Sequence, residues 1–319
     1  MAGIMDTTNQ YLIRQNLYSK QLKSLLLDEL IAMRFVRILT DFPDGYTFNI
    51  PSLGEAETHD FNEGQAITYN ALNQGNFTFA FDQYKYTAIS ISEKFKRDSF
   101  WSPEVIASFV PKQHRALMED VEARIFAVAN SGQTASSLNT INGASHRWVA
   151  SGGTPVIGFN DFAKALYALQ RANVPLNNLC AVVDPSVAYT IATNTNVTNL
   201  LSPIAQWGKI TSDGVMSGFR FMFNIYGFDI YVSNYLPSGI SETINSVSVT
   251  NGVTNYFFSA TPGDTLPWIG AFRQHPTVYM DFNKDLQQTE YATFCEYGFK
   301  LYRPENLVTV LTSTAAVPA

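Results

Sequence analysis

Between Pro111 and Asn130 the apolar side chains Leu117, Val121, Ile125 and Val128 return at spacings of three and four, with Met118 beside them. That period lines one face of an α-helix. Asn130-Ser131-Gly132 then supplies a stop. This is the most firmly specified helix in the chain, and it excludes an all-β fold. Just before it, Ser102-Pro103-Glu104 reads as another helix start: a capping hydroxyl, a proline at the first helical position and an acid near the positive dipole end. Pro111 is expected to break or kink that helix from the long one.

A second helical pattern runs from about Gln10 to Leu39, where Leu12, Leu22, Leu25, Leu26, Leu30, Met33 and Val36 recur with charged residues between them. No local hairpin follows to cover this stripe, so its partner lies elsewhere in the fold or on a neighbour. After the turn signal Pro43-Asp44-Gly45 the period becomes two. Tyr46, Phe48 and Ile50 form one strand; Phe77, Phe79 and Phe81, continuing in Thr87, Ile89 and Ile91, form another. They bracket a long excursion over residues 44–93. A strand of ~15 residues spans ~50 Å, against a radius of gyration near ~20 Å for a compact domain of this length. Paired only with each other, such strands would lean on something outside their own core. The alternative is membership in a larger sheet of the same chain.

Beyond the long helix, residues 131–158 are rich in Ser, Gly, Thr and Asn and read as a loop or weak hairpin. Asn160 is the expected cap of a helix over 161–172 carrying Phe162, Leu166 and Leu169. Leu179–Val183 is an apolar run of buried-strand type, and Asp184-Pro185-Ser186 starts another helix. Residues 219–223 and 225–232 read as strands joined near Tyr226-Gly227, and Asn251-Gly252 marks a tight hairpin turn. Strands are expected over 268–273, 277–282, 288–294, 296–303 and 307–311. The fold class is therefore α+β, with no internal repeat.

Composition narrows the function. The 319 residues are 46% hydrophobic but only 15% charged, with net charge −6. A low charge fraction suits large subunit interfaces, where a buried charge must be paired; a large core with polar uncharged loops would look the same. No Lys/Arg run is present, which argues against electrostatic capture of nucleic acid. Cys180 and Cys295 sit among apolar neighbours and read as buried free thiols. No apolar run approaches the ~20 residues that span a bilayer.

Catalytic signatures fail one by one. His59, His114, His146 and His275 lie apart from each other and from the cysteines, so no metal-ligand spacing forms. Asp281-Phe282-Asn283-Lys284-Asp285 resembles the start of a calcium loop, but Leu286 stands where the sharp turn demands glycine and Ala292 where a bidentate Glu belongs. Glu119, Asp120 and Glu122 fall on the polar side of the long helix, where a solvated face or an inter-subunit salt bridge is expected. No nucleophile elbow, phosphate loop or dinucleotide fingerprint appears.

Several segments resemble recurring patterns of one family. Asn173-Val174-Pro175 leading through Leu179–Val183 to Pro185 and Tyr189 is similar to its helix–strand–helix passage. Gly227-Phe228-Asp229-Ile230-Tyr231-Val232-Ser233-Asn234, closing at Leu236-Pro237, and Tyr297-Gly298 through Arg303-Pro304-Glu305 to Leu307-Val308 resemble two of its strands. Glu63-Gly64 with Ile67 matches its loop tip. In this order, over roughly residues 10–312, the chain resembles the major capsid protein of tailed bacteriophages, with the Hong Kong 97-like fold.

That resemblance implies an N-arm over 1–43, an extended β loop over 44–93, and a peripheral domain with its spine helix over 94–177. It further implies an axial domain over 178–276 and return strands of the peripheral domain over 277–319. It implies a non-enzymatic structural protein that assembles with copies of itself, as hexamers and pentamers, into an icosahedral shell enclosing double-stranded DNA without specific binding. A separate scaffolding protein, a portal protein and a decoration or cement protein are the further partners it suggests, with assembly in the host bacterial cytoplasm and no membrane. The extended loop and N-arm are expected to drape over neighbours. Candidate inter-subunit contacts are Leu22, Leu26, Leu30, Phe61, Glu63, Phe77, Phe79, Phe81, Glu119 and Glu122; no catalytic, cofactor or metal residue is assigned. An encapsulin-type compartment shell is the alternative within the same fold, and an α+β enzyme with dispersed catalytic residues the alternative outside it.

Overall fold

The computed structural model describes residues 30–40, 47–53, 59–60, 63–64, 66, 74–98, 102–133, 139–151, 156–193, 221–263 and 265–313. A 3-10 turn at Ala32–Phe35 leads into β1 (Val36–Ile38). Strands β2 (Thr47–Leu53), β3 (Gln74–Ala80) and β4 (Gln83–Ser92) follow, then the short helix α1 (Glu93–Asp98) and the long helix α2 (Ser102–Gly132). Three short strands, β5 (Thr140–Ile141), β6 (Ala144–Ser145) and β7 (Arg147–Val149), precede helix α3 (Phe159–Arg171), β8 (Leu179–Val183) and helix α4 (Pro185–Thr193). Next come β9 (Phe221–Ile225), β10 (Phe228–Val232), β11 (Ile240–Ile244), β12 (Val247–Ser259), β13 (Trp268–Asn283) and β14 (Gln288–Leu301). A 3-10 turn at Pro304–Asn306 leads to β15 (Val308–Ser313).

Among the described residues the strands form a four-stranded sheet, β1-β13-β14-β4, and a seven-stranded sheet, β7-β15-β12-β8-β10-β9 with β11 paired to β12. Two ribbons, β2-β3 and β5-β6, stand beside them. Strands β8 and β12 lie inside the larger sheet, and alternation sends their side chains to two cores. Cys180, Val182, Tyr256 and Phe258 meet Leu117, Val121, Ile125, Phe126 and Ala129 of α2 together with Trp268 and Tyr297. Leu179, Ala181, Val183 and Phe257 meet Phe162, Ala165 and Leu169 of α3 and Val187 and Ile191 of α4. Both faces being covered, these strands can be apolar throughout, which is why Leu179–Val183 lacks polar alternation.

The first core is built on aromatic rings. Trp268 is wholly buried and stands edge-on to Phe126, Tyr256 and Phe258 at centroid distances of 6.3, 6.1 and 4.9 Å. The Tyr256 hydroxyl donates to the Phe126 carbonyl at 2.6 Å, so its one polar atom is satisfied in the interior. Each such ring contributes on the order of 1.5–3 kcal/mol by burial, which fixes α2 across both sheets.

Several expectations change. The helix expected to reach Leu39 does not: Ala32–Phe35 is a 3-10 turn and Val36–Ile38 is a strand parallel to the start of β13. Ile31, Ala32, Phe35 and Val36 are buried in the chain's own first core, so this segment finds its cover without a neighbour. Residues 10–29 of the same expectation lie outside the described residues. Helix α2 runs unbroken through Pro111; the proline's fixed φ is helical, and it removes only one N–H from the ladder. Val128 is only half-buried, its expected place being taken by Phe126 and Ala129.

The helix α3 cap is Gly158 rather than Asn160; the Asp161 carboxylate accepts the Gly158 N–H and also binds Trp148 and Ser151. The turn residues of the β11–β12 hairpin are Asn245 and Ser246, both left-handed, while Asn251 marks a bulge inside β12. Gly252 is needed there because a Cβ would strike Val249 and the Thr312 carbonyl. The Asn-Gly turn belongs instead to Asn142-Gly143, which closes β5-β6. The two strands expected within β13 are one, carrying Pro276 at a register shift where no ladder donor is required. Finally, the sheets do not follow divisions at 177 and 276: β7 and β15 are bonded into the sheet of β8, β10 and β12.

Candidate assembly surfaces

Strands β2 and β3 pair in antiparallel register from Thr47↔Ala80 to Leu53↔Gln74, making the ribbon whose strands the sequence outlined. Strand β4 pairs with β14 over its whole length, so this part of the 44–93 excursion belongs to a larger sheet of the same chain. The ribbon base is pinned where Ala80 crosses Gly298, a position at which a Cβ would collide with the Ala80 carbonyl.

Of the candidate contacts, Leu22, Leu26 and Phe61 lie outside the described residues. Leu30 is half-buried, and Glu63 is exposed in a turn with Gly64. Phe77 is half-buried between Tyr302, edge-on at 5.2 Å, and the Lys300 ammonium at 5.0 Å. Phe79 and Phe81 are corrections: both are buried against Ala271 of the same chain, because the ribbon base folds back over β13.

Glu119 bonds Arg115 one turn back at 2.8 Å, an ordinary i,i+4 pair. Glu122 is a second correction. It is wholly buried, accepting the Ala32 N–H at 3.3 Å and the Ser233 hydroxyl at 3.2 Å. Burial pushes its carboxyl above the usual range, and these hydrogen bonds oppose that shift. The residue ties the N-terminal turn, α2 and the end of β10 together.

A surface that the sequence reading missed lies on the four-stranded sheet. Opposed residues share a face, so the pairs Tyr86↔Phe294, Tyr84↔Glu296 and Tyr279↔Ala292 place Tyr84, Tyr86, Phe294 and Tyr279 together. Phe294 contacts all three tyrosine rings at 5.8–6.0 Å. Tyr84 and Tyr86 remain 60% and 66% exposed. The signal was present in the alternation of Gln83-Tyr84-Lys85-Tyr86, whose odd members turn toward α2. On the opposite face, past the reach of α2, Val278, Met280 and Phe282 of β13 are exposed. Single exposed apolar residues are ordinary, but a contiguous set on one sheet marks an interaction surface.

No cluster of three His, Cys, Asp or Glu side chains suited to a metal occurs among the described residues. The buried Arg147 guanidinium is engaged by Glu242 at 2.6 Å and by Thr309. His146 is buried, with Nδ1 on the Ala144 carbonyl, and burial lowers its pKa. Burial pushes the Cys180 thiol up to about 12 and the Cys295 thiol to about 11, which leaves both un-ionised. A cleft of about 360 Å³ between the ribbon base and α2 is lined by Asp82, Arg124 and Lys300 among others, but Arg124 is closed on Asp82 at 2.5 Å. No helix among the described residues is long and apolar enough to cross a membrane.

A family model described as "Phage capsid protein" matches residues 76–310, from within β3 to the middle of β15. No curated protein matches the chain. Among solved structures, it is similar to "Capsid structure of the Cyanophage P-SCSP1u", with TM-score 0.70 and 14% identity over 95% of this chain and 93% of that one. It is similar to a chain from "Mycobacterium phage Che8", with TM-score 0.62 and 17% identity over 93% and 97%. The "Asymmetric unit of bacteriophage PhiM1 mature capsid" gives TM-score 0.64 and 11% identity over 96% and 93%. At these identities the likeness establishes the fold, while the family match speaks for the chain itself.

Proposed function

Since the chain belongs to the phage capsid protein family and is a structural protein of the virion shell, we propose that its copies close into the icosahedral head around a tailed phage's double-stranded DNA. The observation that carries this is the family match across residues 76–310, which includes α2, strands β4, β13 and β14 of the four-stranded sheet, and the seven-stranded sheet up to the middle of β15. The apolar rings left in water on the four-stranded sheet support it, because a shell subunit must keep contact area in reserve for its neighbours.

In this reading residues 1–43 act as the N-arm, 44–93 as the extended loop, and α2 as the spine helix. The four-stranded sheet forms the peripheral region and the seven-stranded sheet the axial one. Leu22, Leu26, Leu30, Phe61, Glu63 and Phe77 remain the proposed contacts of the arm and loop with adjoining copies. The net charge of −6 suits an inner wall that encloses DNA without gripping it. Assembly takes place in the host cytoplasm with a separate scaffolding protein, and a portal protein occupies one vertex.

The test is electron microscopy of the full chain co-expressed with a scaffold candidate. Closed shells or rings are expected. A homogeneous monomer at every concentration, with and without the scaffold, overturns the proposal.

A further inference from the structure

Strand β13 begins in the first core and ends in water. Strand β1 covers its outer edge only as far as Gly270, whose carbonyl accepts the Leu39 N–H; beyond that point no strand among the described residues pairs with this edge. An open edge with exposed apolar side chains is a template for another strand. Its usable length is short. Pro276 bounds it on one side and the turn at 284–287 on the other, leaving Thr277–Asn283, whose midpoint is Met280.

The direction of the backbone groups is also fixed. The Phe282 N–H donates to its own neighbour, the Asp281 carboxylate, at 2.8 Å. The Glu93 N–H bond to the Gln287 carbonyl sets the β4–β14 ladder so that Gln288 and Glu290, opposite Asn283 and Asp281, are the residues that bond β13. By strand alternation Phe282, Met280 and Val278 therefore turn their N–H and C=O groups to the open side.

We propose that this edge pairs with the same edge of a second copy, antiparallel about a two-fold axis through Met280. The proposal rests on the shell reading above and names one of its contacts. In that register Met280 faces Met280 of the second copy, and Val278 faces Phe282. These are the residues with outward backbone groups, so each pair exchanges both hydrogen bonds. All three side chains lie on one face and form an unbroken apolar row. On the other face Tyr279 stands opposite Asp281, and Thr277 opposite Asn283. Other two-fold registers are worse: centring on Asp281 opposes two carboxylates, and centring on Tyr279 brings Pro276, which has no N–H, into the ladder.

The axis runs normal to the sheet, so the two four-stranded sheets become one with both α2 helices on the same side. Asp281 must release the Phe282 N–H for the ladder to complete. This keeps free subunits from pairing indiscriminately, in the manner of a charged gatekeeper on an edge strand.

The test uses Met280→Cys in the full chain, assembled with its scaffold and then mildly oxidised. Residues opposed in a hydrogen-bonded antiparallel pair have Cα atoms ~5.5 Å apart, within disulfide reach. Met280 is 68% exposed, so the change does not disturb the core, and the native Cys180 and Cys295 are buried. The expected result is a disulfide-linked dimer in shells of M280C, with Tyr279→Cys remaining monomeric on a denaturing gel. Shells of M280C that stay monomeric after oxidation, or linkage of Y279C in its place, overturn this contact while leaving the shell reading intact. Failure of the unaltered chain to assemble at all counts against the shell reading instead.

Discussion

Removing the Glu122 carboxylate should unfold the subunit rather than weaken its contacts with neighbours. In Glu122→Ala, the Ala32 N–H and the Ser233 hydroxyl lose their acceptor, and both residues are about 1% exposed. Each orphaned buried donor costs about 1–3 kcal/mol. The vacated volume adds about 1–2 kcal/mol, and relief of the buried charge returns part of this. The net expectation is a loss of about 3–5 kcal/mol. With a urea dependence near 3 kcal/mol per molar, the unfolding midpoint falls by roughly 1–1.7 M. Tryptophan fluorescence of the unassembled subunit reports it, since Trp148 and Trp268 are buried.

Glu122→Gln keeps one acceptor oxygen and no charge, so its loss is smaller, about 1–2 kcal/mol near neutral pH. The sign of the pH dependence follows from the raised carboxyl pKa. The folded state takes up the proton before the unfolded state does. The Glu122 contribution is therefore fully favourable below the ordinary Glu pKa and is lost as pH rises through the folded value. The gap between the native chain and E122Q should accordingly widen in the native chain's favour as pH falls through that window. An Ala variant with an unchanged midpoint but no assembly would refute this reasoning and return Glu122 to the inter-subunit surface that its place among helix acids first suggested.

Two further outcomes follow from buried groups. His146 is held neutral by burial, its pKa lowered, so its contribution is present above the unfolded value near 6.5 and is lost as pH falls below it toward the folded value; urea midpoints from pH 7.5 to 5 should fall less steeply in His146→Asn than in the native chain, and parallel curves would contradict this. Cys180 and Cys295, with pKa values near 12 and 11, should resist a thiol-specific reagent in the native subunit and react fully in urea; prompt native labelling of either would place it outside the core described above.

What was legible in the sequence is what local periodicity encodes. The stripe of α2, the apolar run of β8 and the alternation of β3 and β4 each carry their pattern within a few residues. Glu122 could not be read that way. Its donors come from Ala32 and Ser233, positions 90 and 111 residues away in the chain, and a carboxylate on a helix looks solvated until they arrive. Phe79 and Phe81 alternated as expected, but which molecule covers them depends on the crossing at Gly298. The Asn-Gly signal at 251–252 was genuine backbone chemistry in the wrong setting: Asn251 does adopt the left-handed conformation, but in a bulge, because β12 is held by β11 on one part and β15 on the other. The helical pattern ending at Leu39 failed at Val36–Ile38, where parallel pairing with Trp268–Gly270 outweighs helical spacing.

Strand β13 runs from the wholly buried Trp268 to the exposed Met280, paired with β14 on both sides of the register shifts between Phe272 and Thr277. From Trp268 to Met280 it covers about 40 Å at ~3.3 Å per residue. A rotation of about 5° at the tryptophan, carried along that length, would swing the methionine by roughly 3.5 Å, more than a hydrogen bond tolerates. Small repacking around a buried indole would be felt at the rim as a whole rung gained or lost.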